Sequence, residues 1–411
     1  MKFIADLHIH SPYSRAVSPE MVFSGIDVWA KKKGITVMAT GDFTHPRWVA
    51  EMGKHFIPAE PGLFTLKEGG TRFILSAEIS SIYSRGGKVR RVHNLIFAPD
   101  LETVRKINNE LIRRGSNLLS DGRPIIGLDS EDLLLLVKEA DERNVLIPAH
   151  AWTPWFSVFG SMSGFDSLEE CFGDNAKHIF AIETGLSSDP AMNWRLSRLD
   201  NISFISNSDS HSLPNLGREA NVFDTELSYA GIIEAIKSRD PGRFLQTIEF
   251  FPEEGKYHYD GHRLCGVSLN PKETKKLSKR CPACGREITV GVMSRVEELA
   301  DRPEGYRDPK RVPFVKLILL QEIIAEALGV GKSSKKVKEE YERMISSLGS
   351  EIRILSELPV ENIRAVSGER IAEGISRVRQ GKISIRPGYD GEYGKIAIFG
   401  EEKPIGPKAL F

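Results

Sequence analysis

The feature that most narrows what this chain can become is its opening run, Lys2-Phe-Ile-Ala-Asp6-Leu-His8-Ile-His10-Ser11. In a strand, alternate side chains share a face, so Asp6, His8 and His10 line one side while Phe3, Ile4, Leu7 and Ile9 remain to pack. Core packing alone gives no reason to place three potential ligands at period two on an otherwise apolar strand. The mixture of imidazole and carboxylate predicts a metal centre.

The next 240 or so residues alternate short apolar strands with helices. Met21 to Lys33 reads as a helix stopped by Gly34, followed by the strand Ile35 to Asp42. Further strands are expected at Arg72 to Glu78, Val89 to Phe97, Val145 to His150, Ile179 to Glu183 and Ile202 to Ser206, with helices at Leu101 to Arg114 and Glu131 to Arg143, the second capped by Asp129 or Ser130. This alternation predicts an α/β domain, as a closed β/α barrel rather than an open sheet. Asp42, His45, Glu78, His93, His150, Glu183, Asp209 and His211 all fall at strand ends or just beyond, the edge where such barrels carry chemistry. A lone histidine there would mean little, but six of the chain's ten recur in that setting.

The 411 residues are enough for two or three domains, and the formal charge of zero leaves any nucleic-acid contact to local basic patches. No apolar run approaches the ~20 residues that span a bilayer, and the N-terminus enters a strand directly. A cytoplasmic protein with no membrane partner is expected.

The HxH opening, Thr40-Gly41-Asp42, Glu78, His93, His150 and Asp209-Ser210-His211 together resemble the polymerase-and-histidinol-phosphatase (PHP) domain over about the first 250 residues. The resemblance implies a distorted β/α barrel holding up to three metal ions, usually zinc, manganese or iron, for phosphoester hydrolysis. It implies one metal on His8, His10, Glu78 and Asp209, a second on Glu78, His93 and His150, and a third on Asp42 and His211. Where the family has Asp-His, this chain has Gly41-Asp42, so His45 becomes a candidate for the missing imidazole. The chemistry agrees, because divalent cations neutralise a phosphodiester and lower the pKa of water toward ~7. No serine or cysteine nucleophile is needed, and Cys171 reads as structural.

Beyond Phe250, His262-Arg-Leu-Cys265 and Cys281-Pro-Ala-Cys284 form two paired-ligand knuckles at zinc-ribbon spacing, with His258 as the rival to His262. A closed four-ligand site of this kind stabilises a fold. Phe314 to Leu328 and Ser333 to Leu348 then read as helices joined at Gly329-Val-Gly331-Lys332, with a further helix at Asn362 to Arg379 and a hairpin pairing Lys382 to Arg386 with Lys395 to Phe399. The first two helices resemble a helix-hairpin-helix module gripping a DNA phosphate, although a plain two-helix packing unit fits the same residues. The division expected is a catalytic barrel at 1–250, a zinc-binding module at 251–313 and a mainly helical DNA-binding region at 314–411. The tail Pro407 to Phe411 is a candidate docking peptide for a sliding clamp.

This three-part order, with Lys256-Tyr-His-Tyr-Asp-Gly-His-Arg263 before the Cys-Pro-Ala-Cys knuckle and Arg386-Pro-Gly-Tyr-Asp-Gly391 near the end, resembles the endonuclease Q family over essentially the whole chain. The resemblance implies nicking of damaged double- or single-stranded DNA on the 5′ side of uracil, hypoxanthine, xanthine or abasic sites, leaving a 3′-hydroxyl and a 5′-phosphate. The residues themselves add Trp152, Trp155 and Phe156, directly after His150, as candidates for holding an unstacked base, unless they cap the barrel core. Asp42, His45 and Glu183 are candidates for orienting the attacking water. The cofactors expected are divalent metals in the barrel (zinc, magnesium or manganese) and a structural zinc. A phosphomonoesterase of the histidinol-phosphatase kind and a catalytically silent DNA-binding scaffold are the alternatives.

Overall fold

The structure is a computed structural model that describes residues 1–400. The Pro407 to Phe411 docking candidate lies outside those residues. The chain divides into two compact units: Met1–Lys31, Ile35–Glu249 and Glu298–Val315 form the first, and Lys32–Gly34, Phe250–Glu297 and the chain from Lys316 onward form the second.

The first unit contains β1 (Lys2–Asp6), α1 (Phe23–Lys33, whose last turn groups with the second unit), β2 (Val37–Ala39), α2 (Pro46–His55), β3 (Phe56–Pro58), β4 (Phe64–Leu66), β5 (Arg72–Arg85) and β6 (Lys88–Ala98). It continues through α3 (Leu101–Arg113), β7 (Ile125–Ile126), α4 (Ser130–Ala140), β8 (Val145–Pro148), α5 (Leu168–Phe172), β9 (Ala181–Glu183), α6 (Pro190–Asn193), β10 (Ser203–Ile205), β11 (Ala220–Asp224), α7 (Tyr229–Ser238) and β12 (Phe244–Glu249). Helices start where the sequence supplies caps: the Asp100 carboxylate accepts from Thr103 N, and Asp129, not Ser130, caps α4 by accepting from Asp132 N. Each such cap contributes about 1 kcal/mol.

The expected α/β class is present, and the sheet is mixed. β1 runs parallel to β2 and antiparallel to β11, and β2 runs parallel to β5. β5 is antiparallel to β6, which is antiparallel to β8. β9 and β10 form a separate parallel pair. Phe3, Ala5, Leu7, Ile74, Leu95, Phe97, Ile147, Phe223 and Phe244 pack in the core with Ile232 and Ile236 of α7. Each large apolar side chain buried there contributes about 1.5–3 kcal/mol. His93, expected near a strand end, sits within β6, opposite Ser80 of β5.

The second unit has β13 (Asp260–His262), β14 (Val267–Leu269), α8 (Pro271–Lys276) and α9 (Val292–Leu299, whose last two residues group with the first unit), and, after β15 (Phe314–Lys316, of which Phe314 and Val315 group with the first unit), α10 (Leu320–Leu328), α11 (Lys335–Leu348), α12 (Glu351–Ser356), α13 (Val360–Ser367), α14 (Glu369–Arg379), β16 (Ser384–Arg386) and β17 (Lys395–Ala397). Two helix expectations are corrected. Phe314 to Lys316 is strand, with the helix beginning only at Leu320, and the Asn362 to Arg379 helix is broken at Gly368, whose φ of 81° leaves the helical region. The expected hairpin is present as β16 paired with β17. Gly374 brings α14 close to α10, since a Cβ there would meet Ile323 Cγ2 at 2.9 Å. Among the described residues no helix is long and apolar enough to cross a membrane.

Candidate metal centre

β1 ends at Asp6, and Leu7 to His10 continue beside the Asn207 to Ser210 segment. Leu7 N donates to Asn207 Oδ1 at 2.9 Å and His10 N to Ser210 O at 3.1 Å. Asp6, expected on the ligand face, falls outside the convergent donor groups. Its carboxylate accepts from Ser208 N and Gly217 N, pinning the loop that carries Asp209, and burial pushes its pKa up to about 6. Asp42, His150 and Asp209 all adopt left-handed backbone, with φ of 49°, 28° and 45°. Such strain costs about 1–3 kcal/mol per residue and persists only where surrounding structure imposes it.

Two ligand groups meet at Glu78. His8, His10, Glu78 and Asp209 form one, and Glu78, His93 and His150 the other, with the donor atoms of each group within 4.8 Å of one another. His10 Nε2 lies 3.2 Å from Glu78 Oε2 and 3.1 Å from Asp209 Oδ1. On the other side, Glu78 Oε1 is 2.6 Å from His93 Nδ1 and 3.0 Å from His150 Nε2, and those two nitrogens are 3.1 Å apart. One proton can bridge one such pair, whereas a cation satisfies all three donors. His8 Nε2 is buried without a hydrogen-bond partner, 3.6 Å from Glu78 Oε2 and 3.7 Å from Asp209 Oδ1. These orphaned, converging lone pairs fit divalent metals.

Electrostatics point the same way. Burial depresses the His93 imidazole to about 4, which keeps its lone pairs available. Burial alone would raise Glu78, but His93 and Arg123 outweigh it and hold the carboxyl well below its usual range. Burial would likewise lower His8, but Glu183 and Asp209 pull it well above its usual value.

The residues expected to orient water do different work. Glu183 Oε1 accepts from His8 Nδ1 at 3.0 Å and Asn207 Nδ2 at 2.8 Å, and Oε2 accepts from His150 N at 2.8 Å. Asp42 Oδ1 takes His10 Nδ1 at 3.1 Å, while Oδ2 accepts from Ser11 N, Ser11 Oγ and Ser14 Oγ. Both carboxylates therefore stand behind a histidine, fixing its tautomer and aiming Nε2 inward. Asp42 and His211 belong to neither of these two groups. His211 Nδ1 instead donates to the Asp209 carbonyl at 3.0 Å. His45 occupies the N-cap position of α2 without a side-chain cap bond, its ring stacked on Tyr13 with centroids 4.3 Å apart, and belongs to neither group.

The aromatic loop separates into two roles. Trp152, expected in a base pocket, is wholly buried, with its indole N–H donating to Asn193 Oδ1 and its ring against Phe159, so it is a core residue. Phe156 lies against the His93 ring at 4.8 Å, and Trp155 is 36% exposed. Arg123, which sequence reasoning passed over, places Nη1 3.0 Å from Glu78 Oε2. Its setting, Asp121-Gly-Arg-Pro, carries no spacing signal.

In the second unit, His262, Cys265, Cys281 and Cys284 bring their donor atoms together, while His258 lies outside the group. Cys284 Sγ is 3.4 Å from His262 Nδ1. Burial raises the Cys281 thiol, but backbone N–H groups of Ala283 and Cys284 and the His262 ring bring it down to about 6, favouring the thiolate a metal takes. Gly329 ends α10 in left-handed conformation at φ 64°, with its N–H bonded to Glu326 O, and Ser334 caps α11. Gly331 and Lys332 thus lie in the turn between the helices. The Lys332 ammonium pairs with Glu322, so part of the charge expected for a phosphate is already offset.

The profile described as the MJ0043 C-terminal domain matches residues 320–382. The chain is 37% identical over 257 residues to the uncharacterized protein MJ0043 of Methanocaldococcus jannaschii, a match covering 61% of this chain but only 31% of that protein's length. It is 31% identical over 412 residues to the uncharacterized protein YqxK of Bacillus subtilis, covering 96% and 99% of the two chains. Among solved structures, the lesion-specific endonuclease PfuEndoQ from Pyrococcus furiosus superposes with a TM-score of 0.86 at 36% identity, over 100% of both chains. An Endonuclease Q complex with a 27-mer duplex bearing an abasic lesion gives 0.84 at 38% identity, over 97% of this chain and 96% of that one. With ligand geometry and full-length likeness in agreement, the chain belongs to the endonuclease Q family.

Proposed function

We propose that this protein is a metal-dependent hydrolase that cuts DNA at damaged nucleotides. The observation that carries the reading is Glu78 shared between two convergent ligand groups, each completed by buried imidazoles. Divalent cations held there supply Lewis-acid neutralisation of a phosphodiester and acidify water for attack. The protein's own part is positional. Glu183 and Asp42 hold the His8 and His10 rings, Thr153 Oγ1 engages His150 Nδ1 at 3.1 Å, and His211, with Nδ1 committed to the Asp209 carbonyl, has Nε2 to give or take a proton. His45 remains a candidate for proton handling because its Nδ1 is buried without a partner.

Residues 1–250 are read as the catalytic barrel, with the mixed sheet and the β9–β10 pair as its distorted wall. Residues 251–313 are read as a zinc-binding module and 314–411 as a DNA-binding region, where Gly329, Gly331 and Lys332 meet a phosphate and the tail offers a clamp-docking peptide. Trp155 and Phe156 are read as flanking the damaged base. The likeness to a lesion-specific endonuclease and to a complex with abasic duplex supports this assignment. So does the absence of any job for the second unit in a small-molecule phosphatase. Cytoplasmic action on DNA follows from the same reading.

The test is incubation with duplexes carrying one uracil, hypoxanthine, xanthine or abasic site, with magnesium, manganese or zinc added. The expected product is a nick 5′ to the lesion with a 3′-hydroxyl and a 5′-phosphate. Hydrolysis of phosphomonoesters without nicking, or metal held only by the cysteine module, would overturn the proposal.

A further inference from the structure

We propose that Arg123 is a catalytic residue that holds a non-bridging oxygen of the scissile phosphate, an inference that rests on the endonuclease reading above. Arg123 immediately precedes the Pro124-β7 segment, and β7 pairs in parallel with β5 at Ser80↔Ile125 and Ser81↔Ile126. Two residues back along both strands, that register sets Arg123 opposite Glu78, and the 3.0 Å contact from Nη1 to Glu78 Oε2 realises it.

The backbone is pinned on both sides. Gly122 N donates to Tyr13 O and its carbonyl accepts from Thr44 Oγ1, both at 3.0 Å. Arg123 N donates to Asp121 Oδ1, and Pro124 O accepts from Ser80 N, again at 3.0 Å. A Cβ at position 122 would come 2.3 Å from Asp42 Oδ2, so glycine is what lets this loop lie against the carboxylate that orients His10. A guanidinium delivered this way costs little further ordering when substrate arrives.

Its charge supplies the rest of the argument. A guanidinium stays protonated, and this side chain is only 26% exposed. The guanidinium lies beside the carboxylate that both ligand groups share, where substrate phosphate would approach the metals. A phosphodiester anion matches its positive charge, in the planar geometry arginine recognises with two N–H groups. In the reaction, a water oxygen bonds to phosphorus while the bond from phosphorus to the 3′ oxygen of the preceding nucleotide breaks. That oxygen keeps the electron pair and takes a proton. Arg123 gives and takes no proton; it offsets charge on the oxygens that remain on phosphorus.

The experiment compares Arg123→Gln and Arg123→Lys with the unsubstituted protein on a duplex with one abasic site, each protein loaded with the same metal and checked for metal content and thermal unfolding. Arg123→Gln should nick about 10²- to 10³-fold more slowly while keeping its metal, and Arg123→Lys should recover part of the loss. Binding is read separately, with the scissile linkage replaced by a neutral methylphosphonate or by a charged, slowly cut phosphorothioate. The unsubstituted protein should prefer the charged duplex, and Arg123→Gln should show a smaller preference. Nicking by Arg123→Gln within about threefold of the unsubstituted protein, or unchanged discrimination against methylphosphonate, would overturn the assignment. So would a loss of activity that follows metal loss and is restored by added metal, since Arg123 would then be a support of the cluster. No nicking by the unsubstituted protein sinks the endonuclease reading itself, a different result from nicking that survives Arg123→Gln.

Discussion

In the first unit the donor atoms are buried imidazoles and carboxylates drawn from five separate stretches of chain, whereas in the second an imidazole and three thiols come from two short turns. The buried cluster is backed by Glu183 behind His8 and Asp42 behind His10, and its strained Asp42, His150 and Asp209 are held by their surroundings. In the cysteine cluster, by contrast, Cys284 Sγ lies against His262 Nδ1 and Cys284 is exposed. A site that must leave room for substrate needs its ligands aimed from behind, because its geometry is not closed by the ligands themselves. Four soft ligands that close around one ion need only their turns.

The largest expected effect breaks the first site alone. His8→Ala or Asp209→Asn should lower nicking by about 10³-fold or more, with metal lost from the first unit and retained by the cysteines, as elemental analysis would show. If both variants remained active, the cluster would not be the catalytic centre. Cys281→Ser should do the reverse: the segment around 260–290 should become susceptible to limited proteolysis, while metal bound by the first unit persists. Unchanged protease resistance would argue against a structural metal. Smaller again, Glu183→Gln or Asp42→Asn should cost about 10- to 100-fold in activity or metal affinity without abolishing either, as removal of an orienting partner does. A loss as deep as that of His8→Ala would make them direct ligands.

A buried carboxyl of the first unit that belongs to neither ligand group gives the mildest test. Burial pushes Glu249 up to about 8 from an ordinary 4.5, aided by the nearby Asp189 charge, while a hydrogen bond from Thr184 Oγ1 at 3.0 Å to Oε2 works against the rise. Unfolded, this carboxyl releases its proton near 4.5; folded, it keeps the proton to about 8. The folded state is therefore favoured at low pH and loses on the order of a few kcal/mol as pH rises from about 4.5 to 8, levelling off above that. Denaturant unfolding across that range should show the slope, and Glu249→Gln should flatten it. A slope unchanged by the substitution would place the titration elsewhere. Glu78, equally buried, is held low by His93 and Arg123, which sets a ligand carboxylate apart from a merely buried one.

Much of this was legible before folding. Alternation of apolar strands with polar ends marked the α/β class, and knuckle spacing picked out His262, Cys265, Cys281 and Cys284, because those ligands are close in sequence and short-range spacing sets their geometry. Asp6 was misread because period two holds only while the strand lasts, and β1 stops at Asp6. Trp152 was misread because an aromatic beside a ligand looks the same in sequence whether it faces the site or the core. Arg123 was missed because only the β5–β7 register brings it to Glu78.

The sequence by itself determined the chemical kinds of donor, their order along the chain and the presence of two separate ligand sets. Tertiary structure alone decided which carboxylates join the convergent donor groups and which stand behind a histidine, since Asp42, Glu78, Glu183 and Asp209 offer the same donor atoms and differ only in where the backbone points them. That distinction depends on distances of about an ångström between residues up to two hundred positions apart, and only long-range packing sets such distances.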